Sequence, residues 1–173
     1  TTRFPVDAAK RFLEENDSSH WEKRLVICGL DFRNIPSVEA FCEQVKSTEE
    51  RLDFIINNAC QTVRRPAGYY SHLMEHERQP DILPPQARHW LLKEHHPLPS
   101  TRSIPTAAEA SQVALLAEDN DSSTHLFPVG ALDADKQQVD LRERNSWRLQ
   151  LDEVSSVEML EVQLVNATAP FVI

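Results

Sequence analysis

The run Leu52-Asp53-Phe54-Ile55-Ile56-Asn57-Asn58-Ala59 constrains the fold more than any other stretch of this chain. Its apolar residues do not alternate with polar ones, as a strand with one wet face would require. A strand of this kind suits a parallel sheet covered by helices on both faces. The run stops abruptly on two amides, Asn57 and Asn58. Ligands of such sheets sit at the carboxyl ends of the strands. An amide side chain carries donors and acceptors without charge, so it can tie neighbouring strands together or line a cleft.

Flanking segments predict the same architecture. Leu25-Val26-Ile27-Cys28-Gly29-Leu30 is a second buried strand in prospect. Pro5 to Asn16 suits a helix opened by proline, with Phe12 and Leu13 facing the sheet. Pro36-Ser37 opens another, with Val38, Phe41, Cys42 and Val45 at helical spacing. Strands separated by single helices imply crossover connections and parallel pairing, hence an α/β class. From about residue 62 to 140 this rhythm is lost. Prolines cluster at Pro80, Pro84, Pro85, Pro97, Pro99 and Pro105, and Glu118-Asp119-Asn120-Asp121 is acidic. Short helices are expected at Gln86–Glu94 and Thr106–Leu116. A loop of this length inside a compact domain is uncommon, which points to a partly disordered insertion. Periodicity returns after Trp147, where Ser155 and Glu158 form a capping-box pattern. The helix that follows carries Val157, Leu160, Leu164, Ala167 and Phe171, with a kink expected at Pro170.

Net charge is −9 in 173 residues. That balance disfavours nonspecific binding to nucleic acid or to anionic membranes, which takes Lys and Arg. Cys28, Cys42 and Cys60 are widely spaced and odd in number, the pattern of thiols in a reducing compartment. With no apolar run of membrane-spanning length, a cytoplasmic location is expected. His72 and His76 stand four apart, but their context is not that of a zinc protease, so no metal site is expected. Arg64-Arg65 invites an anionic ligand, although two loop arginines are ordinarily solvated.

Four segments carry a resemblance in the right order. Asn57-Asn58-Ala59-Cys60 resembles the Asn-Asn-Ala-Gly motif that follows the fourth strand of short-chain dehydrogenases/reductases. Thr1-Thr2-Arg3 resembles the end of that family's second strand, and Leu30-Asp31 the end of its third. Val165-Asn166-Ala167-Thr168-Ala169-Pro170-Phe171 resembles the long helix that bears its catalytic asparagine. The resemblance implies a partial Rossmann-like, doubly wound parallel sheet assembled from residues 1–65 and 141–173, with 66–140 as the insertion. The family's glycine-rich turn and its Tyr-x-x-x-Lys pair are not found, and the chain holds three glycines in all. An internal fragment of a longer enzyme is therefore expected, inactive by itself.

By that resemblance the function is NAD(P)-dependent hydride transfer to or from a carbonyl or alcohol substrate. Asn166 would hold a water that links a catalytic lysine to solvent, from a helix irregularity. Asp31 would accept from the adenine amino group. Asn57, Asn58 and Ala59 would border the adenosine. Thr2 and Arg3 stand where an acidic residue would select NAD; a hydroxyl and a guanidinium there grip the 2′-phosphate instead, so NADP is expected. Cys60 replaces the family's glycine and narrows the cleft. In relatives the helix that matches the Asn166 segment commonly packs between subunits, so a homo-oligomer is one option for the full-length protein and oligomeric state stays open. The competing expectation is a noncatalytic nucleotide-binding or protein-interaction module on the same fold.

Overall fold

The computed structural model describes residues 1–92, 105–134 and 137–173. Its sheet is built around Ile27–Cys28, which pairs in parallel with Leu91–Leu92 in the register Ile27↔Leu91 and Cys28↔Leu92. The Ile27 N–H donates to the Trp90 carbonyl at 2.6 Å. On the opposite edge, Thr2 forms a parallel bridge with Gly29. There the Thr2 N–H donates to the Cys28 carbonyl at 3.0 Å, and the Leu30 N–H to the Thr2 carbonyl at 2.8 Å. Successive residues of a strand turn their backbone groups to opposite sides, so Ile27–Leu30 is paired on both edges.

That double pairing accounts for the largest departure from the sequence reading. Leu52–Asn57 is not a strand: all of 51–60 lacks regular structure and is exposed. Phe54 is 85% and Ile56 84% exposed. A strand needs a row of unspent N–H and C=O groups beside it, and Thr2 and Leu91–Leu92 already occupy both sides of Ile27–Leu30. The Leu25–Leu30 strand is likewise shorter than expected, with Val26 turned to solvent. A doubly wound sheet needs more strands than the two that pair in parallel among the described residues.

Pro5–Leu13 forms the first helix, with proline at its start and Val6, Ala8 and Ala9 buried. They pack with Ile27, Leu83, Ala87 and Trp90, with Leu13 against the cluster. Phe12 does not face the sheet; it is exposed and meets the Trp21 ring edge-on at 5.7 Å. Phe4, at the N-cap, offers no side-chain bond to this helix. Glu77 does so from a distant segment: its carboxylate accepts from the Val6 N–H at 3.3 Å and the Asp7 N–H at 2.9 Å. The next long helix, Ile35–Thr48, is capped locally, the Asn34 side chain accepting from the Ser37 N–H. Val38 on this helix is fully buried against Leu30 and Ala169.

Much of the core comes from the stretch expected to be an insertion. Leu83, Ala87 and Trp90 pack under the first helix, and Met74 and Ala108 pack on Phe4. Gly68 lies so close to the Asp121 carbonyl and the Ser122 Cα that an added Cβ would sit 2.6 and 2.8 Å from them. The helix expected at Gln86–Glu94 is a single turn, Pro85–Arg88, that gives way to the Leu91–Leu92 strand; Lys93 and Glu94 lie outside the described residues. The helix expected at Thr106–Leu116 closes after Ala107–Ala110. Thr106 and Glu109 form a reciprocal capping box at its start, while the Ser111 hydroxyl competes for the Ala108 carbonyl at 2.6 Å near its end.

The C-terminal helix starts where expected. Ser155 accepts from the Glu158 N–H at 3.1 Å, but Glu158 does not return the bond; its carboxylate takes the Ser146 hydroxyl instead. Ser156–Gln163 is α-helical, Leu164–Thr168 is a π turn, and Ala169–Val172 resumes the α-helix. Pro170 has no N–H to give the carbonyl four residues back, that of Asn166, and a π turn lies directly ahead of it. Among the described residues no helix is long and apolar enough to cross a membrane.

Candidate functional site

Four chain segments close around a cleft of about 260 Å³: the Thr1–Arg3 start, the Leu30–Arg33 turn, the stretch from Ala59 to Arg65, and the C-terminal helix through Glu161 and Val165. Thr2, Arg3, Asp31 and Ala59 of the expected cofactor residues line it. Asn57 and Asn58 do not; both are exposed on the unpaired Leu52–Ala59 ribbon. Asn166 lies at its border, joined to the lining residue Gln61.

Thr2 is held by its ladder bonds, and its hydroxyl accepts from the Phe4 N–H at 3.2 Å. Arg3 lies 4.6 Å over the Tyr70 ring and 5.5 Å from the Phe4 ring centre, and one Nη donates to the Tyr70 hydroxyl at 2.8 Å. No carboxylate pairs with Arg3 among the described residues. A guanidinium carries five N–H donors, so most of its bonding capacity is unspent.

Asp31 is buried and committed. Its Oδ1 accepts from the Arg33 N–H at 2.9 Å, closing a local turn, and from Arg33 Nε at 3.0 Å; its Oδ2 accepts from Arg33 Nη2 at 2.6 Å. Arg33 then reaches Glu161 with Nη1 at 2.9 Å. Burial opposes the Arg33 charge, but Asp31 and Glu161 outweigh it and hold the guanidinium protonated above its ordinary range.

Asn166, exposed in the π turn, grips main chain. Its Oδ1 accepts from the Gln61 N–H at 2.7 Å, and its Nδ2 donates to the Gln61 carbonyl at 3.0 Å. The side-chain amide thus pairs with both main-chain groups of Gln61, as a neighbouring strand would. Gln61 Nε2 donates in turn to Glu161 at 3.3 Å, five residues before Asn166 on the same helix.

Arg64 overturns the expectation of a solvated loop arginine. It is 5% exposed. Its Nε donates to Glu161 at 2.9 Å, and its two Nη atoms donate to Asp119 at 2.5 and 2.6 Å. Burial alone would raise the Asp119 pKa; the Arg64 bonds and the Leu116 and Leu115 N–H groups outweigh it and bring the carboxyl below its ordinary value. Arg65 pairs with Asp140 and lies 4.8 Å over the Tyr69 ring, so it is not free for a ligand either. The sequence reading passed over Arg33, Gln61, Asp119 and Glu161. One signal was available: Glu158 and Glu161 fall on the helix face that carries the buried Ala169, and acids on a core face call for cations.

Cys60 lines the cleft and is exposed, and none of the three cysteines is in a disulfide. No group of His, Cys, Asp and Glu side chains among the described residues is arranged to hold a metal. Burial keeps His72 below its ordinary pKa, while the His76 Nδ1 is buried without a hydrogen-bond partner. No protein-family model matches this chain, and comparison with curated proteins and with solved structures finds no match.

Proposed function

We propose that this chain serves an NADP-dependent short-chain oxidoreductase, moving hydride between nicotinamide and a carbonyl or alcohol carbon. The observation that carries this reading is the position of Asn166. It occupies the irregular turn of an otherwise α-helical segment and clasps the main chain directly after Asn57-Asn58-Ala59-Cys60. Gln61 and Asn166, more than a hundred residues apart, thereby meet beside one cleft, although Asn57 and Asn58 themselves do not line it.

The residues present suit the cofactor's charge. Arg3 brings a guanidinium with unspent donors to the cleft, Thr2 brings a hydroxyl, and the strand end carries no acid that would select NAD. Asp31 suits adenine less well, because Arg33 engages both of its oxygens. Asn166 keeps one lone pair on Oδ1 and one proton on Nδ2 beyond its bonds to Gln61. It can therefore orient a water without titrating, which is what a proton relay requires. The nicotinamide supplies the hydride chemistry when bound; the protein orients it and handles the proton.

The test uses the natural polypeptide that contains these residues. NADPH and NADH binding is followed by cofactor fluorescence, and hydride transfer by NADPH oxidation over a panel of aldehydes and ketones. Arg3→Ala should cost about tenfold or more in NADPH affinity and leave NADH unchanged, the scale of one charge-assisted hydrogen bond. Asn166→Ala should lower turnover more than affinity. Failure of both nucleotides to saturate overturns the reading. Saturable binding without hydride transfer favours the noncatalytic module.

A further inference from the structure

We propose that Asp119, within the 66–140 stretch, is a positioning residue for Asn166, acting through Arg64, Glu161 and Gln61. The path is continuous. Asp119 takes both Nη atoms of Arg64, Arg64 Nε donates to Glu161 Oε2, Gln61 Nε2 donates to the same oxygen, and the Gln61 N–H and carbonyl are paired with the Asn166 amide. Every side chain that passes the constraint inward is buried or partly buried, so water does not compete freely for these bonds.

Asp119 is the member that fixes the rest. Its Oδ2 is held by the Leu115 and Leu116 N–H groups, both at 2.8 Å, which ties the carboxylate to main chain. A carboxylate fixed in this way sets the rotation of a two-pronged guanidinium. Glu161 cannot do so alone, since it sits between two guanidiniums, with Arg33 on its other oxygen. Without Asp119, the Nη atoms of Arg64 have only Glu118, at 3.5 Å on a half-exposed side chain. The guanidinium would turn toward it and release Glu161 and Gln61. The Leu115–Asp119 turn is therefore a brace on the site, and a partner that engages this turn has a route to Asn166. That Asn166 serves a proton relay rests on the oxidoreductase reading; the coupling itself does not.

The experiment is amide NMR on the full chain, which needs no turnover, so the brace and the oxidoreductase reading fail separately. Asp119→Asn keeps the shape and removes the charge. It should shift the Asn166 side-chain amide signals and speed hydrogen exchange at the Gln61 N–H by about tenfold or more, as expected when a local opening becomes easier. Glu109→Ala is the control, because Glu109 caps a helix of the same stretch outside this path. It should leave both signals in place. The proposal is overturned if Asp119→Asn moves the Arg64 Nε signal alone, or if Glu109→Ala moves Asn166 and Gln61 as much. Should Asp119→Asn not fold, native-state exchange of the unaltered chain decides. The Gln61 and Leu116 N–H groups must then open together with one denaturant dependence; separate openings overturn the coupling.

Discussion

Replacing Arg64 by Met tests the buried charge cluster most directly. The thioether keeps most of the side-chain volume and removes the forked cation. Lost are three charge-assisted bonds, at 2.5 and 2.6 Å to Asp119 and 2.9 Å to Glu161. Removing one partner of a buried ion pair costs ~3–5 kcal/mol, because the remaining charge stays buried. Neither acid is wholly abandoned. Asp119 retains two backbone N–H groups, and Glu161 retains Arg33 and Gln61. The lower end, about 3 kcal/mol, is therefore expected, a large share of a typical stability of ~5–15 kcal/mol. At ~2–4 °C per kcal/mol for a chain of this size, Tm should fall by about 6–12 °C. Urea unfolding followed together by circular dichroism and tryptophan fluorescence measures the loss. A double variant, Arg64→Met with Asp119→Leu, should regain part of it, since an apolar pair replaces an uncompensated charge. A loss below about 1 kcal/mol, the range of an exposed pair, would refute the reasoning and place Arg64 in water.

Acid should weaken the fold through Asp119 and Asp140. Burial pushes Asp140 up, but the Arg142 bonds outweigh it, so both folded carboxyls titrate below their ordinary value of 3.8. A depressed folded pKa gives stability that is complete above the unfolded pKa and drains as pH falls through the folded one. Urea midpoints should drop steeply below about pH 4, and less steeply in Asp140→Asn; parallel curves would contradict this. Gly68→Ala should cost ~1–3 kcal/mol, since its Cβ would meet backbone atoms that cannot swing aside; an unchanged Tm would show the contact to be loose. Phe54→Asp with Ile56→Asp should reduce self-association in light scattering and leave the unfolding midpoint within about 0.5 kcal/mol, as exposed sites do; a marked loss of stability would mean the ribbon is packed.

Local chemistry was the legible part of the sequence. Pro5, Pro36, Thr106 and Ser155 each mark a helix start, Thr106 and Ser155 through a side-chain bond within the next turn, while the Asn34 cap ahead of Pro36 went unread. Such signals act over three or four residues and need no tertiary partner. The Leu52–Asn57 strand failed for the opposite reason. Its composition satisfies a strand, but pairing depends on which neighbours are present, and a single stretch cannot report them. Leu91–Leu92 took a place beside Ile27–Cys28 that nothing in its own residues announced. At the site, Thr2, Arg3, Asp31 and Ala59, picked out by the family resemblance, line the cleft, while Asn57 and Asn58 do not. Arg33, Gln61, Arg64, Asp119 and Glu161 were not picked out, because their roles depend on ion pairs between residues that are distant in sequence.

The Glu77 carboxylate over the start of the Pro5–Leu13 helix has a practical corollary for dissecting this polypeptide. Residues 66–140 are not a cassette that can be cut out and bridged by a short linker. Excision would strip the opening turn of the first helix of the Glu77 carboxylate, and would remove a flanking strand at the same stroke. Trimmed versions meant to isolate the cleft should therefore keep Tyr70 through Leu92 together with the Leu115–Asp119 turn.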